Sequence, residues 1–164
     1  LPFSEILKYL ISKKYDYLFK VHGKKSMYRT DGSEIRNKLI NSLLDRKNFN
    51  LIKAKLNSDK DIGLIYPSSS HLEFNEKNMV FNKKRIDSLC NLTGINIEQT
   101  SFFCAGSMIC ARVEALRNFK AISSFDFELE VGLSDGTTAH AIERMFIACV
   151  RSNGFSVSEV EDLT

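Results

Sequence analysis

Apolar residues along this chain return with two different periods, and the two alternate from one end to the other. Helical spacing covers roughly residues 3–14, 33–44, 50–56, 82–92, 113–119 and 137–152. Short β-rich or apolar runs cover Tyr15–Val21, Asp61–Tyr66, Phe102–Ala111 and Phe155–Glu159. The stretch 68–78 is polar and is predicted to be a loop. This alternation predicts an α/β fold with a mixed sheet flanked by helices.

The composition narrows the class of protein only moderately. At 164 residues and 43% hydrophobic, the chain predicts a single domain over 1–164, and its opening without Met suggests a fragment of a longer protein. A net charge of +3 gives no reason to expect a nucleic-acid partner. The four cysteines form no CxxC pair, so we expect reduced thiols and a cytoplasmic protein. No apolar run reaches the ~18 residues of a membrane helix.

A basic loop follows the first predicted strand. His22, Gly23, Lys24, Lys25 and Ser26 stand just past its carboxyl end, where open α/β sheets bind ligands. The two lysine ammonium groups could neutralise a diphosphate. A solvated basic turn explains the same residues equally well. The chain has no P-loop, and no Asp-x-Asp pair stands in this loop, so no metal site is predicted here.

A carboxylate precedes the strongest helical pattern of the chain. Asp135 is followed by glycine and two threonines, and an N-cap role alone would account for it. As an alternative, Asp135 could act as the general base that deprotonates an acceptor hydroxyl. The spacing alone favours the cap. Arg144 is expected to pair with Glu128 or Glu130.

Further candidates are a glycine inside an apolar run and two polar residues on one helix face. Gly106 interrupts the predicted strand 102–111, which indicates either a bulge or the close approach of a ligand beside Ser107. His140 and Glu143 are three positions apart, so they share a helix face and could point together at the site. His71, in the polar stretch, is assigned no role.

Three blocks of the chain resemble the rhamnan synthesis F family. The blocks are Lys20–Ser26, Phe102–Met108 and Asp135–Arg144, and their order agrees over about 15–155. The resemblance implies a bacterial glycosyltransferase of the GT-A type, acting in cell-wall or O-antigen polysaccharide synthesis. It implies a rhamnosyl or related deoxysugar, a nucleotide-sugar donor and a glycan or lipid-linked glycan acceptor. The protein would then work at the cytoplasmic face of the membrane, with peripheral association allowed.

The resemblance also assigns roles to residues. His22 stands where the Asp-x-Asp motif is usual, so metal dependence is in doubt. In place of a metal ion, Lys24 or Lys25 would supply the positive charge. Ser26 belongs to the same diphosphate-binding loop. Asp135 stands near the acidic base of inverting members, with Glu143 as the second catalytic candidate. Gly106, Ser107 and His140 are assigned to the sugar or acceptor.

The length of the chain limits what it is expected to do alone. A GT-A domain begins with a βαβ unit that binds the nucleotide, and no room for it exists before Tyr15. We therefore expect the nucleotide-binding half to lie upstream, and nucleotide-sugar to bind poorly to these residues by themselves. The alternative function is a non-catalytic carbohydrate-binding or scaffold domain, which should expose a row of aromatic rings. A phosphate-ester hydrolase would need a nucleophile or metal motif, and none is present.

Overall fold

The structure, a computed structural model, describes residues 3–23, 30–123, 127–128 and 135–161. The helices are α1 (Phe3–Ser12), α2 (Gly32–Leu44), α3 (Arg46–Ser58), α4 (Glu76–Met79), α5 (Lys83–Thr93) and α6 (Thr138–Ser152). The strands are β1 (Tyr17–Lys20), β2 (Ile62–Pro67), β3 (His71–Glu73), β4 (Phe102–Cys104), β5 (Ile109–Arg112) and β6 (Ser156–Val160). Short 3₁₀ helices cover Ser68–Ser70, Ile97–Gln99 and Glu114–Ala121.

Four strands form a mixed main sheet in the order β1-β5-β2-β6. Strand β5 is antiparallel to both β1 and β2, whereas β2 and β6 are parallel. Strands β1, β2 and β6 therefore point the same way, and their carboxyl ends share one edge of the sheet. Open α/β sheets bind ligands at such an edge. A separate two-stranded antiparallel sheet pairs β3 with β4.

Helices cover both faces of the main sheet. On one face, α1, α5, α6 and the 3₁₀ helix 114–121 share a buried core that includes Leu7, Ile86, Phe119 and Phe146. On the other face, α2 and α3 pack a smaller core around Leu43 and Ile52. The prediction of an α/β fold with a mixed sheet flanked by helices is confirmed.

A register shift in β2 determines which of its side chains face each of the two cores. The register between β2 and β6 shifts at Gly63, so that Ile62 and Ile65 face the α2–α3 core while Leu64 and Tyr66 face the other. A Cβ atom at Gly63 would stand 2.5 Å from the Cβ atom of Phe155. Only glycine fits there, because real Cβ atoms do not approach that closely.

Three predicted elements are corrected. The apolar run 102–111 is two strands, β4 and β5, in different sheets, with a turn between them. The stretch 68–78, predicted as a loop, contains β3 and the start of α4, because the pairing of β3 with β4 outweighs its polar composition. The short helix predicted over 113–119 is a 3₁₀ helix, Glu114–Ala121.

Candidate functional site

The turn between β4 and β5 brings a glycine and a serine into left-handed backbone conformations. Gly106 has φ +82° and Ser107 has φ +52°. Such a conformation costs a non-glycine residue about 1–2 kcal/mol, so the fold holds Ser107 against a local preference. Gly106 therefore lies in a turn, and the mid-strand position predicted for it is wrong. The turn lies beyond Lys20 at the carboxyl end of β1, since Lys20 pairs with Ile109 at the start of β5.

Four predicted site residues meet at this turn. The Nε2 atom of His22 lies 2.7 Å from the Gly106 carbonyl oxygen. Glu143 Oε2 accepts two hydrogen bonds, from the Gly106 backbone N–H at 3.2 Å and from the Ser107 hydroxyl at 3.0 Å. Residues from β1, the turn and α6 thus converge, although they are far apart in sequence.

Lys20 completes the group, and sequence reasoning did not assign it a role. Its ammonium donates to the Ser107 carbonyl oxygen at 3.0 Å and lies 5.9 Å and 5.6 Å from the ring centres of Phe3 and Phe146. Burial lowers the pKa of Lys20, while the nearby Glu143 opposes that shift. The feature of the sequence that could have identified Lys20 is its position as a lysine at the end of an apolar strand. We call Lys20, His22, Gly106, Ser107 and Glu143 the turn cluster.

The turn cluster keeps unused hydrogen-bonding capacity. Because a carbonyl oxygen can only accept, His22 Nε2 must donate to Gly106, which leaves Nδ1 as the acceptor of a neutral ring. That Nδ1 atom is buried and has no hydrogen-bond partner among the described residues. Glu143 receives two hydrogen bonds from the described part of the chain, both on Oε2. An unmet buried polar atom costs about 1–3 kcal/mol, so a ligand group that reached this place would be bound favourably.

Asp135 belongs to a different network. Its carboxylate accepts from the Asn82 side-chain amide and the Gly136 backbone N–H, each at 2.8 Å, and pairs with the Arg144 guanidinium at 3.2 Å. Arg144 is buried, and it also donates to the backbone oxygens of Asn78 and His140. Within the described ranges, no hydrogen bond or ion pair joins Asp135 to the turn cluster.

At the start of α6, the N-cap residue and the ion-pair partner of Arg144 both differ from those expected from the sequence. The N-cap of α6 is Thr137, two positions after Asp135. Arg144 pairs with Asp135, so the predicted pair with Glu128 is wrong; Glu130 lies outside the described residues. Glu128 instead accepts from the Thr138 backbone N–H at 2.9 Å and pairs with Arg85 at 2.5 Å. Although burial opposes it, these donors lower the pKa of Glu128 to about 2.

His140 serves the cap of α6. Its Nδ1 lies 2.7 Å from the Thr137 hydroxyl and faces the Thr137 backbone N–H in a capping box. In the described structure His140 makes no hydrogen bond to Glu143, so the predicted polar cluster of these two residues does not form. Lys24, Lys25 and Ser26 lie outside the described residues.

A second polar group was missed because its members are distant in sequence. His71 Nδ1 lies 3.0 Å from the Tyr66 hydroxyl and 3.1 Å from Glu159 Oε1, and His71 Nε2 lies 3.1 Å from Glu73 Oε1. Tyr66 donates to Glu159 at 2.7 Å, and the imidazole stacks on Phe102 with ring centres 4.3 Å apart. We call Tyr66, His71, Glu73, Phe102 and Glu159 the His71 cluster.

Neither a metal site nor a membrane-spanning helix is found among the described residues. No group of three His, Cys, Asp or Glu side chains is arranged there to hold a metal ion. No helix among them is both long and apolar enough to cross a bilayer. Three of the cysteines, Cys104, Cys110 and Cys149, are buried free thiols, and burial raises the pKa of each to about 12.

Comparison with known proteins gives a family and two relatives. A family model described as rhamnan synthesis protein F matches residues 1–155. The uncharacterized protein WxcX of Xanthomonas campestris pv. campestris, in strain B100 and in a second strain, is 35% identical over 164 residues. Each match covers 98% of this chain but 24% of the relative, so the chain spans about a quarter of their length. No solved structure matches the chain.

Proposed function

The chain belongs to the rhamnan synthesis protein F family, and from this premise we propose that it is part of a glycosyltransferase of the GT-A type. In this proposal a rhamnosyl or related deoxysugar moves from a nucleotide-sugar donor to a glycan or lipid-linked glycan acceptor. The observation that carries the proposal is the turn cluster. It holds together a carboxylate, an ammonium group and an imidazole nitrogen without a partner among the described residues, at the edge where open α/β sheets bind ligands.

Glu143 is the base in this reaction. The acceptor hydroxyl transfers its proton to Glu143 Oε1 while its oxygen forms a bond to the anomeric carbon of the donor. The bond from that carbon to the diphosphate oxygen breaks, and the nucleoside diphosphate leaves with the bonding electrons. Lys20, whose charge lies close to Glu143, holds the turn in place through the Ser107 carbonyl oxygen.

The geometry favours Glu143 over Asp135 as the base. Three donors already bond to the Asp135 carboxylate, one of them the guanidinium of the buried Arg144. Glu143 bonds through Oε2, and Oε1 accepts no hydrogen bond from the described part of the chain. Asp135 is retained as the second candidate for the base.

The remaining roles are proposals that follow the family pattern. His22, Lys24, Lys25 and Ser26 would bind the diphosphate of the donor without an Asp-x-Asp metal site. Gly106, which is partly exposed, would approach the sugar directly, and the buried Ser107 would support it from the same turn. His140, which the capping box holds, would contribute only through the backbone at the start of α6.

The experiment compares three forms of the full-length protein: wild type, Glu143→Gln and Asp135→Asn. Transfer from nucleotide-deoxysugars to a lipid-linked acceptor mimic is measured with and without EDTA. We expect Glu143→Gln to lower the turnover by about 10²–10⁴-fold with an unchanged melting temperature, and Asp135→Asn to lower it less. The reverse order would make Asp135 the base. Wild-type activity in both variants would remove both carboxylates from the chemistry.

One observation favours the alternative of a non-catalytic carbohydrate-binding domain. Tyr9, Tyr15 and Phe81 are each more than half exposed. Exposed rings bind the apolar faces of sugars. Binding of oligosaccharide by a wild-type protein that shows no transfer with any donor would favour this second function.

A further inference from the structure

The turn that joins α4 to α5 presents an aromatic ring to water. Phe81 is 68% exposed, the highest value among the large hydrophobic residues of the described chain, and its neighbour Val80 is 62% exposed. A phenylalanine ring left in water forgoes about 1.5–3 kcal/mol of burial. The packing of α5 places Asn82 and Ile86 inside but does not cover this ring.

Phe81 lies directly against the backbone that follows Asp135. A Cβ atom at Gly136 would stand 3.4 Å from the Phe81 Cβ atom and 3.6 Å from its carbonyl oxygen. Gly136 has φ +76°, so a side chain is disfavoured there and nothing from this position comes between the ring and the carboxylate. Phe81 and the Asp135 carboxylate therefore both adjoin Gly136, whose backbone N–H bonds the carboxylate.

The Asp135 carboxylate has room for one more donor. A carboxylate offers about four acceptor sites, and Asn82, the Gly136 N–H and Arg144 use three of them. The Asp135 side chain remains 27% exposed. Asn82, which donates to this carboxylate, is completely buried, and its Oδ1 atom has no hydrogen-bond partner within the described ranges. This surface thus combines an aromatic ring with a carboxylate that can accept a hydrogen bond from one hydroxyl group.

The ion pair of Asp135 with Arg144 bears on the ligand class. The pair carries no net charge, so it favours neither a cation nor an anion by itself. A neutral ligand with one apolar face and several hydroxyl groups fits the ring and the carboxylate together, and a pyranose is such a ligand. We propose that Phe81 and Asp135 form a subsite for one sugar of the acceptor glycan, with Asn82 and Arg144 as positioning residues. That this sugar belongs to the acceptor rests on the proposed transferase function. The binding of a sugar at this surface does not depend on that function.

The test is the binding of a rhamnose trisaccharide to the full-length protein by isothermal titration calorimetry. We expect Phe81→Ala to raise the Kd about tenfold and Phe81→Tyr, which keeps the ring, to stay within about twofold of wild type. Leu92→Ala is the control, because Leu92 is an exposed apolar residue of α5 outside this surface. Its Kd should match that of the wild type.

The outcomes separate this proposal from the transferase reaction. An unchanged Kd in Phe81→Ala, an equal loss in Leu92→Ala, or no binding by the wild type would overturn the subsite. A Phe81-dependent Kd in a protein without transfer activity would support the subsite and reject the transferase. In an active protein, Phe81→Ala should raise the KM for the acceptor while the KM for the donor stays constant.

Discussion

Two histidines stand near the same edge of the main sheet, and they differ in how fully their hydrogen bonds are made. In the turn cluster, His22 bonds a backbone carbonyl oxygen through Nε2, and its buried Nδ1 atom has no partner in the part of the chain that the structure describes. In the His71 cluster, both ring nitrogens face carboxylate oxygens. Burial and the hydrogen bond to Glu159 raise the pKa of Tyr66, which therefore keeps its proton as a donor.

We expect this difference to separate the proposed ligand site from a group that serves the fold. In the His71 cluster each polar side chain lies within hydrogen-bond distance of another, and the contacts join β3 to the end of β6. The turn cluster instead contains a strained serine, a partly desolvated lysine and an imidazole nitrogen without a partner among the described residues. Such unfavourable features are tolerated at functional sites. Substitutions in the two clusters should therefore change stability in opposite directions.

The largest effect is expected for Lys20→Met. Because burial lowers the pKa of Lys20, the charged ammonium opposes folding, and a methionine of similar length should pack between Phe3 and Phe146. We expect the free energy of unfolding to rise by up to about 2 kcal/mol, with at least about a tenfold loss of any transfer activity. Urea denaturation measures the first quantity. Lys53→Met, at an exposed position, is the control, and a loss of stability specific to Lys20→Met would contradict the comparison.

A smaller effect is expected at Ser107, where two variants separate backbone strain from the hydroxyl group. Ser107→Ala and Ser107→Gly both remove the hydrogen bond to Glu143, but only glycine relieves the positive φ. The glycine variant should be more stable than the alanine variant by about 1 kcal/mol. At the exposed Ser88 of α5, alanine should be the more stable by about 1 kcal/mol, because glycine is a poor helix former. The same order at both positions would rule out strain at Ser107.

The His71 cluster should respond in the opposite sense. His71→Phe keeps the ring that stacks on Phe102 and removes both contacts to carboxylates. Because these groups are partly exposed, the loss should be about 0.5–1 kcal/mol in urea denaturation. A variant at least as stable as the wild type would show that the closed network does not stabilise the fold.

The smallest effect is expected in how the stability of the folded protein changes at acidic pH. The hydrogen bond to His71, followed by that to Ser101, lowers the pKa of Glu73. A carboxyl group with a lowered pKa in the folded state stabilises above its unfolded pKa, and this stability disappears as the pH falls through the folded value. The melting temperatures of wild type and Glu73→Gln should therefore differ near about pH 7 and converge near about pH 3. A difference independent of pH would contradict this assignment.

Local signals in the sequence predicted most elements to within a few residues. Helix α6 was expected from 137 and begins at Thr138, since apolar spacing and the Asn153-Gly154 stop agree there. Helix α5 ends before Gly94, which has the left-handed conformation of a C-cap. The run 102–111 was predicted as one strand and not as two, because its apolar composition continues through the turn. A turn made by two residues with positive φ, one of them serine, leaves little trace in hydrophobic periodicity.

The candidate site could be predicted as residues but not as contacts. His22, Ser107 and Glu143 were chosen from three separate motifs, and the fold brings them together. Asp135 was chosen for its place before a helix, yet its partner is Arg144, one position beyond Glu143 on the same helix. His71 had no signal at all, because Glu159 lies on a strand at the other end of the chain. Such pairs follow from sheet topology, which a single sequence does not encode in any local pattern.

The parallel pairing of β2 with β6 has a consequence for how this protein folds. Ile62 pairs with Ser156, so this side of β2 is covered only after the segment up to β6 has been synthesised. Contacts this far apart in sequence form slowly. Until then β2, which is buried along its entire length in the folded state, presents an unpaired apolar edge. In a nascent chain this strand is therefore prone to aggregation until β6 pairs with it.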